Sequence, residues 1–165
     1  MEDATPVPGS ELAGRCGPGV DAGADGKIYV ADRNKDRIAV FSSTVALLTS
    51  FSGQKDQDEE GEHHGEHKES TTTLRLNKPS GVAVDAVGNI YVADTNNDRV
   101  LKLSAAGRIL LSLDAMGGSS AASVPGPKGP GLDRFNHPAG VAVDAAENIY
   151  VADTDNRRVA VFSST

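Results

Sequence analysis

The segment GNIYVADTNNDRVLKLSAAG, at residues 88–107, occurs in the chain in three related forms. DGKIYVADRNKDRIAVFSS at 25–43 and ENIYVADTDNRRVAVFSS at 147–164 align with it without a gap, from the shared Ile-Tyr-Val-Ala-Asp to the arginine that follows. Self-similarity with a period of tens of residues indicates a repeat architecture, in which each unit buries its apolar surface mainly on its neighbours. The three copies therefore set the fold, and functional residues are expected on loops and repeat faces.

Each copy contains short runs of β-branched and aliphatic residues separated by turn residues. In the second copy the runs are GVAVD, NIYVAD, RVLKLS and RILLSL, at 81–85, 89–94, 99–104 and 108–113. Such runs predict strands, and the turns between them are short enough for antiparallel hairpins. Both alternating sets of side chains in IYVA are apolar, which indicates a sheet covered on both faces. The sequence predicts an all-β fold of about three four-stranded antiparallel blades, the third without a run for its outer strand.

The pattern P-x-G-V-A-V-D-x-x-x-N-I-Y-V-A-D-T-x-N-x-R-V, at 79–100 and 138–159, closely resembles the NHL repeat, a blade unit of β-propellers that usually carry six blades. The first copy departs from it, with GVDAGADGKIYV in the first hairpin and Lys35 where the others have Asn97 and Asn156. The resemblance implies an NHL-type β-propeller, here a partial or half propeller. It also implies a protein- or RNA-binding platform, although the ubiquitin-ligase or signalling module often attached to such platforms is not recognisable in this sequence.

The copies are separated by segments of different composition. Residues 52–73 hold seven acidic residues against two lysines, and residues 114–131 are rich in Gly, Ser and Pro. Segments with so few apolar side chains do not offset the entropy of ordering, which predicts flexible insertions. We therefore expect a disordered N-terminal tail at 1–18 and NHL blades over 19–165, interrupted by these two insertions.

An Asp-x-x-x-x-Arg element recurs in every copy. Asp94 ends one strand and Arg99 begins the next, so a tight hairpin brings carboxylate and guanidinium together, and Asn97 between them tolerates a left-handed turn conformation. A site that performs chemistry is needed once, whereas this element occurs three times, which favours a structural role. The predicted turn clamps are Asp32 with Arg37, Asp94 with Arg99, and Asp153 with Arg158.

Motifs for catalysis and metal binding have weak support. Residues 63–67, HHGEH, fit the H-x-x-E-H pattern of zinc peptidases, but Gly65 interrupts the helix that this pattern needs and no apolar face would dock it on a core. No serine or cysteine lies in a nucleophile motif, and the Gly-rich stretches lack the features of a phosphate-binding loop. We predict no catalytic residue, no metal site and no cofactor.

The hairpin after the second strand of each blade lies at the same end of the sheet as the connection between blades. Loops on a rigid scaffold are where binding residues concentrate. We therefore predict a non-catalytic scaffold for protein–protein interaction. Its alternatives are a propeller-type, metal-dependent lyase- or lactonase-like enzyme fragment and an RNA-binding platform. The predicted binding-face residues are Arg33, Asn34, Lys35, Asn96, Asn97, Asp98, Asp155, Asn156 and Arg157.

Composition and charge limit the partners and the cellular location that are expected for the protein. The net charge of −7 disfavours long-range attraction to nucleic acid or an anionic membrane. No run of residues approaches the roughly 20 apolar residues of a membrane helix, and the acidic, proline-containing N-terminus does not resemble a signal peptide, so a cytoplasmic or nuclear location is expected. Three blades leave apolar faces at both ends, so for a chain that carries only these blades the sequence predicts a homodimer, in which two chains placed head to tail supply six blades.

Deleting residues 54–70 should lower the midpoint of thermal unfolding by less than about 5 °C, because the segment has no side chains to bury. Calorimetry of the deleted and full-length chains measures the difference. A larger drop, which corresponds to more than roughly 1 kcal/mol for a domain of this size, would mean that the segment packs on the blades.

Overall fold

The computed structural model of the chain describes residues 19–52, 74–113 and 134–163, and places eleven strands in three antiparallel sheets. The first sheet contains β1 (Val20–Ala22), β2 (Ile28–Asp32), β3 (Arg37–Phe41) and β4 (Leu47–Ser52). The second contains β5 (Gly81–Val84), β6 (Ile90–Asp94), β7 (Arg99–Leu103) and β8 (Ile109–Leu113). The third contains β9 (Pro138–Val143), β10 (Ile149–Asp153) and β11 (Arg158–Phe162). In each sheet the strands pair in chain order, which makes each sheet a meander, or blade.

The predicted all-β, antiparallel architecture is confirmed. The four strands predicted in the second copy lie within one residue of those observed, and blade 3 has three strands among the described residues, with β11 outermost. The predictions for the tail at 1–18 and for the insertions lie outside the described residues, except that Ser52 is the last residue of β4.

The central strand β6 is buried along its whole length, as the doubly apolar IYVA pattern predicts. Its neighbours β5 and β7 satisfy its backbone on both sides. Its alternating side chains face two different blades, so the sheet has no solvated face at this point. A strand in this position tolerates polar groups only where they are paired.

Two apolar clusters fill the spaces between consecutive blades. Blades 1 and 2 share a cluster formed mainly by Tyr29, Ala31, Ile38, Val40, Val82, Ile90, Val92, Leu101 and Leu103. Blades 2 and 3 share a cluster formed by Ala83, Tyr91, Val100, Leu113, Phe135, Ile149, Val151 and Ala160. Blade 2 is therefore covered on one face by blade 1 and on the other by blade 3.

The innermost strands β1, β5 and β9 lie side by side where the blades meet. Gly19 N donates to Ser80 O at 3.0 Å, and Val84 N donates to the Asp21 carboxylate at 2.8 Å. On the next interface Thr95 Oγ1 donates to Pro138 O at 2.9 Å. Together with the apolar clusters, these bonds fix the position of each blade relative to the next.

A carboxylate also organises the turn between the first two strands of a blade. The buried Asp85 accepts hydrogen bonds from Val87 N, from Asn89 N and Nδ2, and from Tyr91 Oη, at 2.8–3.2 Å. Burial raises the pKa of Asp85, but the hydrogen bonds from Asn89, Tyr91 and Val87 outweigh this and hold the pKa below its usual value. Asp144 makes the equivalent bonds in blade 3, whereas blade 1 has Gly23 at this position.

Replacing Val92 with Asp should cost several kcal/mol of unfolding free energy, because the fully buried side chain would become an unpaired charge. Asn96→Ala, at the exposed hairpin tip, should cost less than about 1 kcal/mol, since alanine retains the bond from the main-chain N–H to Asn77 O. Chemical denaturation of both variants measures the contrast. Equal sensitivity at the two positions would contradict the strand register.

The stability of the Asp85→Asn variant should depend less on pH in the acidic range than the stability of the wild-type chain does. Because the folded pKa of Asp85 is depressed, its contribution to stability is present above the unfolded value of 3.8 and is lost as the pH falls through the folded pKa. The melting temperature of the wild-type chain should therefore exceed that of Asp85→Asn near neutral pH, and the gap should narrow between about pH 4 and pH 2. A gap that stays constant over this range would contradict the assignment.

Candidate interaction surface

Each predicted clamp is an Asp–Arg pair that joins the two strands of a hairpin. Arg99 Nε donates to Asp94 Oδ2 at 2.7 Å, and the equivalent distances are 3.0 Å for Arg37 with Asp32 and 2.6 Å for Arg158 with Asp153. The three carboxylates are buried and the arginine side chains are about four-fifths buried. A buried ion pair that loses one partner leaves an uncompensated charge, so these clamps are sensitive points of the fold.

The left-handed residue of the turn inside the clamp is Asp98, with a φ of 50°, and not Asn97, although asparagine tolerates this conformation. Asn97 instead ends a short 3-10 turn and donates from Nδ2 to both Asp94 Oδ2 and Arg75 O, each at 2.8 Å. Asparagine is used here for its donor group rather than for its backbone freedom, and Asn156 repeats both bonds in blade 3.

The clamp also holds the segment that leads into its own blade. Asn77 N donates to Asp94 Oδ1 at 2.7 Å, and Arg99 Nη2 donates to the main-chain oxygens of Leu74 and Arg75. Blade 3 repeats this arrangement with Asn136 N on Asp153. The lead-in segments 74–78 and 134–137 therefore lie against the hairpin tips. The sequence pattern does not indicate these segments, because their partners are 17 to 25 residues away and the bonds use main-chain atoms.

Two tip carboxylates connect neighbouring blades. Asp36 of blade 1 accepts from Lys78 N at 2.7 Å, and Asp98 of blade 2 accepts from His137 N at 2.8 Å. We call Asp36 and Asp98 the bridge carboxylates. Lys78 and His137 both have a φ of 49°, an uncommon backbone conformation for residues with a side chain, and the bridge holds them in it. At the same position blade 3 carries Arg157, which cannot accept such a bond.

The tips and lead-in segments form one surface, which we call the loop face, at residues 33–36, 74–78, 95–98, 134–137 and 154–157. It carries six Lys and Arg residues, Arg33, Lys35, Arg75, Lys78, Arg134 and Arg157. Its three carboxylates all have partners within the chain, since Asp36 and Asp98 form the bridges and Asp155 lies 2.9 Å from His137 Nδ1. The loop face is therefore cationic, although the chain as a whole has a net charge of −7.

All nine residues predicted to form a binding face lie on this loop face. Asn34 and Lys35 make interactions within the chain, and Asn97, Asn156 and Asp98 use their side chains to hold the fold, as described above. The residues that the prediction omitted, Arg75, Lys78 and Arg134, contribute half of the positive charge. The surface is therefore broader than the hairpin tips.

Within 19–52, 74–113 and 134–163, no three His, Cys, Asp or Glu side chains are grouped so that they could hold a metal ion. The histidines of the 63–67 pattern lie outside these ranges. In the same part of the chain no helix is long and apolar enough to cross a membrane.

Comparison with known sequences locates two repeats. The family described as "NHL repeat" matches residues 76–103 and 135–162, which contain β5 to β7 of blade 2 and β9 to β11 of blade 3. The chain is 32% identical over 101 residues to the Homo sapiens protein named NHL repeat-containing protein 3, a match that covers 59% of this chain and 26% of that protein. The Mus musculus protein of the same name is 33% identical over 92 residues, covering 54% and 23%. The chain thus spans about a quarter of the length of these relatives.

Solved structures resemble the chain in fold. A protein of unknown function from Bacteroides thetaiotaomicron superposes with a TM-score of 0.61 at 20% identity, covering 93% of this chain and 37% of that one. A streptogramin B lyase superposes with a TM-score of 0.56 at 16% identity, covering 88% and 36%. At these identities the likeness concerns the fold alone. The repeat matches and the stacked antiparallel meanders together show that the chain carries two NHL repeats in a β-propeller fold.

Proposed function

We propose that the chain is a non-catalytic scaffold that binds a protein partner through the loop face, and that this partner presents an acidic surface. The observation that carries the proposal is the charge of the loop face. Six cationic side chains accompany three carboxylates, and all three carboxylates have partners within the chain. Complementary charge steers association and selects among partners.

For the attraction of a partner to the loop face, the charges of the nearby side chains matter more than the net charge of the whole chain. Charges separated by more than about 8 Å are largely screened at physiological ionic strength. The clamps below the loop face contribute little, because each buried carboxylate is paired with an arginine. An acidic partner in contact with the loop face would therefore meet the positive side chains and not the overall charge of −7.

The main chain of the loop face is held in place before any partner binds. Clamps hold both lead-in segments, and bridges fix Lys78 and His137. The exposed side chains of Arg75, Lys78 and Arg134 are thus carried on an ordered backbone. Ordering of loops opposes binding, so a surface that is already ordered loses less free energy when a partner binds.

The same surface suits a protein better than single-stranded RNA. Proteins that bind single strands stack bases on aromatic side chains in a positive groove. In the described loop face the one phenylalanine, Phe135, is buried, with its ring centroid 5.7 Å from that of Phe162. The remaining ring, His137, is paired with Asp155. Positive charge without an exposed stacking platform favours carboxylates as the recognised groups.

A labelled polyglutamate peptide tests the loop face directly, with an oligouridine RNA of equal length beside it. At physiological salt the wild-type chain should bind the peptide more tightly than the RNA. The double variant Arg75→Glu with Arg134→Glu should weaken peptide binding about tenfold or more, since it reverses two exposed charges at equivalent positions. Fluorescence anisotropy measures both affinities.

Arg108→Glu provides the matched control, because Arg108 is exposed but lies in the turn between β7 and β8, at the end of the blade away from the loop face. This variant should bind the peptide as the wild-type chain does. Tighter binding of the RNA than of the peptide would overturn the proposal of a protein partner. An equal loss in the Arg108→Glu variant would show that the loop face is not the binding site.

A further inference from the structure

Each bridge joins two residues that share an uncommon backbone conformation. Asp36 and Lys78, which connect blades 1 and 2, both have a φ of 49°. In the equivalent pair, Asp98 has a φ of 50° and His137 a φ of 49°. Aspartate and asparagine adopt this left-handed conformation more readily than most residues with a side chain. The carboxylate side of each bridge therefore suits its position, whereas a lysine at residue 78 has to be held there.

The chain on both sides of Lys78 is fixed by hydrogen bonds of its own. On one side Asn77 N donates to Asp94 Oδ1 at 2.7 Å, and on the other Ser80 N donates to Ala93 O at 3.1 Å. The residue that follows Lys78 is the buried Pro79, and a proline favours an extended conformation in the residue before it. The left-handed conformation of Lys78 is thus strained. Strain of this kind persists where surrounding contacts enforce it, and such positions cluster at binding sites.

The side chain of Lys78 carries a charge that a partner can reach. Lys78 is exposed, and within 19–52, 74–113 and 134–163 no carboxylate lies within ion-pair distance of its ammonium group. His137 differs, because its Nδ1 lies 2.9 Å from Asp155 Oδ2. Of the two residues held by bridges, Lys78 is therefore the one with an uncompensated charge, at the junction of blades 1 and 2.

We infer that Asp36 is a positioning residue for partner recognition. Its carboxylate accepts from Lys78 N at 2.7 Å and so holds the main chain of Lys78 in the conformation that presents the lysine charge to the partner. The inference rests on the proposed function, because it assigns a role in binding to one carboxylate of the cationic loop face. By its charge alone, Asp36 repels an acidic partner. By holding Lys78, it strengthens the binding of that partner, and these two effects have opposite signs.

The variants Asp36→Asn and Asp36→Gly separate the charge of Asp36 from its positioning role. Both remove the negative charge, and both residues tolerate a left-handed conformation. Asparagine retains a side-chain oxygen that accepts from Lys78 N, whereas glycine has none. With the labelled polyglutamate peptide at physiological salt, Asp36→Asn should bind at least as tightly as the wild-type chain. Asp36→Gly should bind about threefold or more weakly than Asp36→Asn, as measured by fluorescence anisotropy.

The same pair of variants in a Lys78→Gln background shows whether Asp36 acts through Lys78. The difference between asparagine and glycine at residue 36 should disappear there, because glutamine has no charge to position. A difference that persists would mean that Asp36 acts on the loop face in general, and it would overturn the inference. Hydrogen exchange of the Lys78 amide should be slow in the wild-type chain and in Asp36→Asn, and fast in Asp36→Gly. Fast exchange of this amide in the wild-type chain would also overturn the inference.

Glu147 provides the matched control, because it is also an exposed carboxylate in a left-handed conformation, with a φ of 61°. It lies in the turn between β9 and β10, at the end of the blade away from the loop face. Glu147→Gln and Glu147→Gly should therefore bind the peptide equally. A wild-type chain that does not bind the peptide would overturn the proposed function and the inference with it. A wild-type chain that binds it, with equal affinities for Asp36→Asn and Asp36→Gly, would overturn the inference alone.

Discussion

A buried carboxylate at the end of the second strand is the constraint on which each blade depends. Asp94 is fully buried and has to be compensated there by donors, because an unpaired charge in the core would cost several kcal/mol. Arg99, Asn97 and the main-chain N–H of Asn77 supply these donors from the next strand, the turn and the lead-in segment. One ionised group thus determines where the hairpin turns and where the chain enters the blade.

The sequence predicted what depends on local pattern. Alternating apolar residues and turn residues are enough to place the strands of the second copy, and the spacing from Asp94 to Arg99 indicates a pair across a hairpin. Hydrogen bonds that involve main-chain atoms distant in sequence leave no pattern of this kind. The lead-in segments, the bridges from Asp36 and Asp98, and the cationic character of the loop face therefore became visible only in the structure.

Two details show how a residue type can suggest the wrong physical reason. Asparagine often adopts left-handed conformations, yet Asn97 serves as a donor and Asp98 takes that conformation. The Asp-x-x-x-Asn-x-Tyr pattern at Asp85 is part of the quoted repeat, where Asp and Asn suggest turn residues and Tyr a strand residue. In the structure the three side chains form one hydrogen-bond network in the turn. Residue preference alone does not separate these roles, because the same side chain satisfies more than one of them.

The bridges have a consequence for how the loop face can change. Asp36 and Asp98 bind the main-chain N–H of Lys78 and His137, a group that every residue except proline provides. The blades are therefore joined at these points without using the side chains of residues 78 and 137, which already differ between the two copies. In Lys78 and His137 the main-chain N–H joins the blades, and the side chain is a separate group that makes no part of this bond. Single substitutions at these two positions can therefore change the charge of the loop face while the hydrogen bonds between the blades are kept.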